Sequence, residues 1–397
     1  MLPTSQNIHA DSSTSSTLRE GAGDRKPAPG HESIESLLAE ADITIGGNRP
    51  WDIRVRDERF YRRVLAEPSL GLGEAYVEGW WDVERLDEFF HRVLREELHR
   101  RNGTRPGLLW DWALAKLVNQ QSLRRSQRVA ERHYDLGNEF FERMLDPHMQ
   151  YTCGYWKDAD NLAAAQEAKL DLICRKLALR PGDSILEFGG GWGGFAKFAA
   201  ERYGCRVTVY NISREQVRHA REWCRDLPVE VHHADYRMAE GSYDRVVSIG
   251  MCEHVGARNY GELFRIKRRC LKEDGLMFLH TIGCNRTKPT SDPWIRRYIF
   301  PGGQLPSLRQ LTDASEGIFT LEDLHNIGAD YDPTLMAWHE SFERHWPEFR
   351  KKLGGSFQRM WRYYLLSCAG AFRARKIHLW QMVFAPRGLE GGYVPVR

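Results

Sequence analysis

Long apolar runs are missing from the sequence. No stretch approaches the roughly eighteen uninterrupted apolar residues that a membrane-spanning helix requires. The first part of the chain also lacks the apolar segment of a secretory signal peptide. These absences argue against insertion and export, so we expect a cytoplasmic protein.

Paired cysteines are missing as well. The eight cysteines lie far apart, with no CxxC pair and no histidine at metal-ligand spacing beside them. This distribution predicts reduced thiols and no metal site.

The chain has 397 residues, of which 42% are hydrophobic and 28% are charged. This is the balance of a soluble globular protein, and the length predicts two folded parts. The net charge is only +3, but residues 91–132 and 341–376 are strongly basic and rich in aromatic side chains. Such stretches suit anionic lipid headgroups or phosphate backbones, although a solvated basic face would look the same.

The chain divides by composition into three parts. Residues 1–33 are rich in Ser, Thr, Gly and Pro and predict a disordered leader. Residues 34–132 are mostly helical in pattern, with turns expected at 71–73 and 79–81. Within them, Leu108–Val118 is apolar nearly all round and precedes Arg124, Arg125 and Arg128, which suits either a buried helix or a membrane interface.

Residues 133–397 show a different pattern, in which short β-branched runs alternate with helical stretches. This alternation predicts an α/β domain with a parallel sheet covered on both faces. The expected strands are Ser184–Phe188, Arg206–Tyr210, Val229–Val231, Arg245–Ile249, Leu276–Leu279 and, after a long insertion, Ile377–Phe384.

A G-x-G-x-x-G motif follows the first of these strands, at Gly189, Gly191 and Gly194. Glycines here let the backbone approach a nucleotide at a helix N-terminus, although tight packing alone would also explain them. A dinucleotide site would require an acid at the end of the second strand, where Asn211 stands. Asp235 and Tyr236 follow the third strand and suit an adenine ring, which favours S-adenosylmethionine, although Asp235 could also be a surface turn acid.

Three reactive side chains come from separate segments. Glu253 follows the fourth strand, His280 ends the fifth, and Tyr331 lies in the insertion. Because the carboxyl ends of parallel strands face the ligand crevice, we expect Glu253 and His280 to converge there. Each residue alone could equally be a satisfied core side chain.

Several motifs resemble the bacterial cyclopropane-fatty-acyl-phospholipid synthase family. The resemblance runs from about residue 34 to the last residue and includes the N-terminal part. It rests on His133-Tyr-Asp-Leu-Gly-Asn, Met149-Gln-Tyr-Thr-Cys-Gly-Tyr-Trp-Lys-Asp, Met251-Cys-Glu-His-Val-Gly, Leu279-His-Thr-Ile-Gly, Ser367-Cys-Ala-Gly-Ala-Phe-Arg and Leu70-Gly-Leu-Gly-Glu-Ala-Tyr-Val-Glu-Gly-Trp-Trp.

The resemblance implies a Rossmann-like class I methyltransferase domain behind a mostly helical N-terminal domain. It implies S-adenosylmethionine as methyl donor and a bicarbonate ion held by Cys153, Glu253, His280 and Tyr331, with help from the backbone near Ile282. The implied catalytic residues are Cys153, Glu253, His280, Tyr331 and Cys368. The implied cofactor residues are Tyr151, Thr152, Glu187, Gly189, Gly191, Trp192, Asn211, Gln216, Asp235 and Tyr236.

The sequence departs from the family pattern in the glycine turn. It has Glu187-Phe-Gly-Gly-Gly where the family usually has Asp-x-Gly-Cys-Gly, and Asn211 where Thr is common. These differences concern cofactor affinity rather than the type of reaction.

The activity implied is transfer of the methyl carbon of S-adenosylmethionine to the cis double bond of an unsaturated phospholipid acyl chain, closing a cyclopropane. The implied partners are this lipid and the inner leaflet of the cytoplasmic membrane, with no nucleic acid. Residues from about 285 to 370 would form a lipid-binding insertion, and a homodimer is one assembly the sequence allows. Methyl branching of a lipid, or methylation of a small amine, is the alternative on the same scaffold.

Overall fold

The computed structural model describes residues 30–98 and 137–397. The leader up to residue 29, the apolar segment Leu108–Val118, the three arginines after it and the predicted boundary at residue 132 lie outside these ranges. No helix within them is long and apolar enough to cross a membrane.

The N-terminal part is mainly helical, as predicted, with a small antiparallel pair of strands. The first helix begins at His31, inside the predicted leader, because Ile34 and Leu38 on one of its faces are buried. The elements are α1 (His31–Glu40), β1 (Arg54–Val55), α2 (Arg59–Ala66), α3 (Pro68–Val77), β2 (Trp81–Asp82) and α4 (Leu86–Arg95).

The turn expected at residues 71–73 is wrong, since α3 continues through it. A β-carbon at Gly71 would lie 2.6 Å from the carbonyl oxygen of Arg63, and one at Gly73 would lie 2.3 Å from the ring of Trp294. These glycines therefore permit close packing of the helix and do not turn the chain.

A seven-stranded sheet forms the centre of the second part, in the order β5-β4-β3-β6-β7-β9-β8. The first five strands of this order are parallel, and β9 runs antiparallel to both of its neighbours. The α/β prediction is confirmed. The strands are β3 (Ser184–Phe188), β4 (Arg206–Asn211), β5 (Val229–His233), β6 (Tyr243–Ile249), β7 (Leu271–Gly283), β8 (Thr320–Asn326) and β9 (His378–Ala385).

Helices precede and connect these strands. The side chain of Asn161 caps the N-terminus of α6 by accepting a hydrogen bond from the amide of Ala164. The side chain of Ser213 caps α8 by accepting from the amide of Gln216. The helices are α5 (Asn138–Met144), α6 (Leu162–Lys176), α7 (Gly194–Tyr203), α8 (Arg214–Trp223), α9 (Cys252–Val255), α10 (Tyr260–Cys270), α11 (Pro293–Tyr298) and α12 (Leu308–Ser315).

Strand β8 lies within the segment predicted to be a lipid-binding insertion. Its pairing with β9 makes it the edge of the central sheet, so this segment is partly scaffold. The sequence pattern does not show the strand because charged and polar residues occupy much of it.

The last helical element, α13 (Tyr331–Arg373), is a hairpin of two helices that meet at Gly354. Gly354 has φ 76°, which breaks the helix and reverses the chain. Phe342 contacts Trp361 across the hairpin, Trp346 stacks on Phe357 with ring centroids 6.1 Å apart, and the rings of Tyr331 and Phe372 meet at its base.

The hairpin and the N-terminal helices share one hydrophobic core. A β-carbon at Gly370 would lie 2.6 Å from the carbonyl oxygen of Asp87, so α4 packs directly on the hairpin backbone. The predicted membrane role of the aromatic residues between 346 and 375 is not supported, because Trp346, Phe349 and Trp361 are buried inside this core. Of the same stretch, Arg350, Lys351 and Lys352 are exposed.

Candidate active site

The predicted site residues gather at the carboxyl ends of the parallel strands. Glu187 lies in β3, Asn211 ends β4, and Asp235 follows β5. Glu253 lies in α9, directly after β6, while His280 lies in β7. This is the edge at which an open α/β sheet binds its ligand.

The glycine turn after β3 has an unusual backbone. Gly189, Gly191 and Gly193 all have positive φ, a backbone conformation that would be strained for a residue with a side chain. The Nδ2 of Asn211 donates to the carbonyl oxygen of Gly191 and to Oε1 of Gln216, each at 3.0 Å. The turn is thereby fixed to the end of β4 before any ligand binds.

Glu187 and Gly190, the two positions of the glycine turn that differ from the family pattern, lie next to each other in the structure. A β-carbon at Gly190 would lie 2.5 Å from Cγ1 of Val209 and 3.1 Å from Oε2 of Glu187. That Oε2 is buried without a hydrogen-bond partner, and burial raises the pKa of Glu187. The longer acid at 187 thus takes up space that a cysteine at 190 would need.

The loop bearing Tyr151, Thr152 and Cys153 is held by two side chains of α6. Lys169, fully buried, donates to Oγ1 of Thr152 at 3.0 Å and also to the side chain of Gln150. Gln166 donates to the carbonyl oxygen of Thr152 at 2.8 Å. Sequence reasoning missed Lys169, since nothing in the sequence around a lysine shows that its side chain will be buried.

The remaining predicted cofactor residues flank the same turn. The Nε1 of Trp192 donates to Oδ1 of Asn138 at 2.9 Å. Asp235 accepts from the backbone amide and the guanidinium of Arg237, and Tyr236 packs its ring against Phe188. The carboxylate of Asp235 is therefore hydrogen-bonded within its own loop.

Glu253 is held by the backbone of the neighbouring strand. Its Oε1 accepts from the amide of Ile282 at 2.6 Å, and its buried Oε2 has no hydrogen-bond partner. Burial raises the pKa of Glu253 to about 7, although hydrogen bonds at the carboxylate oppose the shift. The carboxyl group can therefore exchange a proton near neutral pH.

His280 lies two residues before Ile282 on β7, so both side chains are on the same face of the sheet. The imidazole is fully buried, its Nδ1 lies 3.4 Å from Nε2 of Gln381, and its Nε2 has no partner. Burial, with the positive charges of Lys169 and Lys176, holds the pKa of His280 well below its ordinary value. The ring is neutral.

Tyr331 begins the hairpin and is enclosed by aromatic rings. Its centroid lies 4.5 Å from that of Phe372 and 5.9 Å from that of Trp338. Burial, together with the nearby Cys153 and Glu253, raises the pKa of Tyr331 well above its ordinary value. The phenol therefore stays protonated and can donate.

Both predicted catalytic cysteines are thiols at neutral pH. Burial raises the pKa of Cys153 well above its ordinary value and that of Cys368 to about 12. Thiols at these positions can contact a ligand but do not supply a thiolate nucleophile. The catalytic assignment of Cys368 stays a prediction. Gly370, two residues later, lets α4 approach the hairpin closely, so this stretch also has a packing role.

An aromatic wall, formed by Tyr151, Trp338, Tyr364 and Phe300, joins the Tyr151 loop to the hairpin α13. Tyr151 donates to the hydroxyl of Tyr364 at 3.0 Å and packs its ring against Trp338. Phe300 contacts Tyr364 on one side and His254 on the other. Sequence reasoning missed Trp338 and Tyr364, because aromatic residues at helical spacing do not reveal which face they line.

The two unpartnered atoms, Oε2 of Glu253 and Nε2 of His280, fit a small polar ligand. Buried polar atoms are nearly always hydrogen-bonded, so these two indicate a binding position. A hydrogen-bearing oxyanion such as bicarbonate matches the pair, because it can donate to the carboxylate and accept from the imidazole. Among the described residues, no group of His, Cys, Asp and Glu could hold a metal ion.

Comparison with known proteins is consistent with this arrangement. The family model for mycolic acid cyclopropane synthetase matches residues 121–382. The chain is 52% identical over 356 residues to the cyclopropane-fatty-acyl-phospholipid synthase of Escherichia coli K12, covering 90% of this chain and 93% of the relative.

Two solved structures share the fold of the second part. The cyclopropane synthase MmaA2 from Mycobacterium tuberculosis has a TM-score of 0.62 and 30% identity, covering 65% of this chain and 98% of the other. Mycolic acid cyclopropane synthase CmaA1 complexed with SAH and CTAB has a TM-score of 0.61 and 31% identity, covering 65% and 97%.

Proposed function

The chain belongs to the mycolic acid cyclopropane synthetase family, and on that basis we propose that it is a cyclopropane-fatty-acyl-phospholipid synthase. Its reaction adds the methyl carbon of S-adenosylmethionine across the cis double bond of an acyl chain and releases one proton. The observation that carries this proposal is that Glu253 and His280, at the carboxyl ends of neighbouring strands, are both buried and each has an unpartnered polar atom. A simple methyl transfer to an amine would not need such an anion-binding position.

Bound S-adenosylmethionine supplies an electrophilic methyl group, and bound bicarbonate supplies an oxygen base. The glycine turn, with Asn211 and Gln216 locked to it, would hold the first, and Trp192 closes one side. Glu253, His280, Tyr331 and Cys153 would hold the second.

Glu253 has a definite part in disposing of the proton. With a pKa of about 7, its Oε2 can accept a proton during turnover and return it to solvent afterwards. The amide of Ile282 holds Oε1 and leaves Oε2 as the acceptor. His280 stays neutral and can donate through Nε2, while the Tyr331 hydroxyl adds a second donor.

The aromatic wall protects the reacting carbons. Attack by an alkene places positive charge on the acyl chain, and water would intercept it. The rings of Tyr151, Trp338 and Phe300 enclose this region. A ring face near a cation contributes about 0.5–2 kcal/mol and brings no nucleophile.

The lipid substrate argues for work at a membrane surface. Moving about ten methylenes into water would cost on the order of 8 kcal/mol, at ~0.8 kcal/mol each. We therefore place the enzyme in the cytoplasm, peripherally bound to the inner leaflet. The exposed Arg350, Lys351 and Lys352 at the tip of α13 are suitable contacts for anionic headgroups.

The test is a lipid analysis of a host that lacks the activity. Expression of the wild-type chain should raise the mass of unsaturated acyl chains by one CH₂ and remove the olefinic proton signal. A mass increase with the olefin retained would indicate methyl branching, and methylated headgroups would indicate an amine methyltransferase. Cells expressing Glu253→Gln at equal level are the matched control. A homodimer stays a prediction, which light scattering of the purified protein would check.

A further inference from the structure

The buried amide of Gln381 is the neighbour that decides which nitrogen of His280 carries the proton. Gln381 lies on β9 directly opposite His280 in the strand register, and both side chains are fully buried. Its Nε2 lies 3.4 Å from Nδ1 of His280, whereas its Oε1 has no hydrogen-bond partner.

In this orientation the amide nitrogen of Gln381 donates, so Nδ1 accepts and does not carry the proton. Because His280 is neutral, its single N–H is then on Nε2. Strand β7 lies between β6 and β9, so Gln381 on β9 and Glu253 after β6 approach His280 from opposite neighbouring strands.

We propose that Gln381 is a positioning residue that fixes the Nε2–H tautomer of His280, so that this nitrogen donates to the oxyanion held beside Glu253. The inference rests on the proposed bicarbonate site. The opposite tautomer would present a lone pair to the anion and to the Glu253 carboxylate, leaving Tyr331 as the remaining side-chain O–H or N–H donor of the predicted set.

Gln381 contacts His280 through the ring nitrogen that faces β9, so its effect on the site passes through the imidazole. Loss of the amide should leave the cofactor turn and the loop at Thr152 unchanged, since Asn211 and Gln216 hold the first and Lys169 holds the second. Oxyanion affinity should fall by the lost fraction of the Nε2–H tautomer, about two-fold for an equal mixture of tautomers.

The experiment is ring-¹⁵N NMR of the full chain labelled at histidine, with His280→Gln to assign the signal. In the wild type without bicarbonate, the proton should be on Nε2. Gln381→Leu should give a mixture of tautomers and raise about two-fold the bicarbonate concentration that half-activates turnover, with S-adenosylmethionine affinity unchanged. Met382→Leu, a volume-conserving change at the next position of the same strand, is the control and should alter neither quantity.

A proton on Nδ1 in the wild type would overturn the assignment, as would a Gln381→Leu variant with the wild-type tautomer and bicarbonate response. Failure of the proposed function looks different. In that case wild-type turnover would not depend on bicarbonate, while the NMR signal would still report the tautomer.

Discussion

At the scale of single residues, the two carboxylate oxygens of Glu253 have different surroundings. Its Oε1 is fixed by the Ile282 amide, while burial leaves Oε2 poorly solvated. Glu253→Gln keeps the shape but removes the basic oxygen, so turnover should fall about 10²–10⁴-fold. S-adenosylmethionine binding, measured by calorimetry on the same folded preparation, should persist. Near-normal turnover in this variant would disprove its role as the proton acceptor.

The same carboxyl group predicts the pH dependence. Because Glu253 has a pKa of about 7 and must be unprotonated to accept, turnover should rise with pH through 7 and then level off. The measurement is turnover at saturating S-adenosylmethionine and constant bicarbonate between pH 5.5 and 8.5, a range of about 1.5 units on either side of that value. The residual activity of Glu253→Gln should lack this inflection. An inflection that persists in the variant would assign it to another group.

Gly190 gives a prediction about packing in the glycine turn. Gly190→Ala places a methyl group against Val209 Cγ1, and overpacking of this kind costs about 1–3 kcal/mol of unfolding free energy. Val209→Ala opens the space, so the double variant should be more stable than the sum of the two single changes predicts. Denaturant unfolding of all four proteins measures this coupling. Strict additivity would show that the turn relaxes without touching Val209.

At the scale of elements, an ion cluster joins α4 to both ends of the hairpin. Arg373 donates to Asp87 on α4 at 2.8 Å and to Asp332 near the start of α13 at 2.8 Å. Although burial opposes the shift, hydrogen bonds from Arg85 and Arg373 lower the pKa of Asp87 to about 2. This folded value is below the ordinary 3.8, so the stabilisation is complete above about pH 4 and is lost as the pH falls through 2.

Arg373→Met should therefore lower the free energy of unfolding at neutral pH by about 2 kcal/mol, because the buried carboxylate of Asp87 loses one of its two arginine partners and Asp332 loses its ion pair. It should also weaken the acid dependence between about pH 4 and 2. The measurement is denaturant unfolding across this range. Arg344→Met removes an exposed pair with Glu340 on the same hairpin and should cost less than about 1 kcal/mol. Equal losses in both variants would contradict the special role of Arg373.

The elements differ in how far the sequence could predict them. Parallel strands such as β3 and β6 are apolar runs that alternate regularly with helices, so the sequence predicted their positions. It also predicted that the ligand binds at their carboxyl ends. Strand β8 and helix α3 could not be predicted, because pairing with β9 and contact with Trp294 decide their structure. Likewise Glu253 and His280 stand after recognisable strands, whereas Gln381 and Lys169 matter through contacts between segments distant in sequence.

At the scale of the whole molecule, three consecutive exposed cations lie beside the tip of the hairpin. If Arg350, Lys351 and Lys352 contact anionic headgroups, turnover on anionic vesicles should fall as salt rises, since the Debye length is about 8–10 Å near physiological salt. Replacement of all three by Gln should weaken vesicle binding in sedimentation and flatten the salt response. The matched control replaces Arg175, Arg180 and Arg206, which are exposed and lie before or at the amino ends of β3 and β4. Identical behaviour of the two triple variants would remove the tip from the docking surface.

The closed base of the hairpin has an evolutionary consequence. Tyr331 leaves the site and Phe372 returns to it with the two rings in contact, so the hairpin is closed at its base. Farther from the base, Tyr364 hydrogen-bonds to Tyr151 and Arg359 hydrogen-bonds to Asp82, and the helical turns beyond these contacts lead to the tip. Whole turns of helix inserted or deleted as matched pairs in the two arms would change how far the tip reaches. They would leave the tyrosine where it is. The distance between a headgroup contact and the reacting carbons can therefore vary among descendants of this chain without any change in the chemistry.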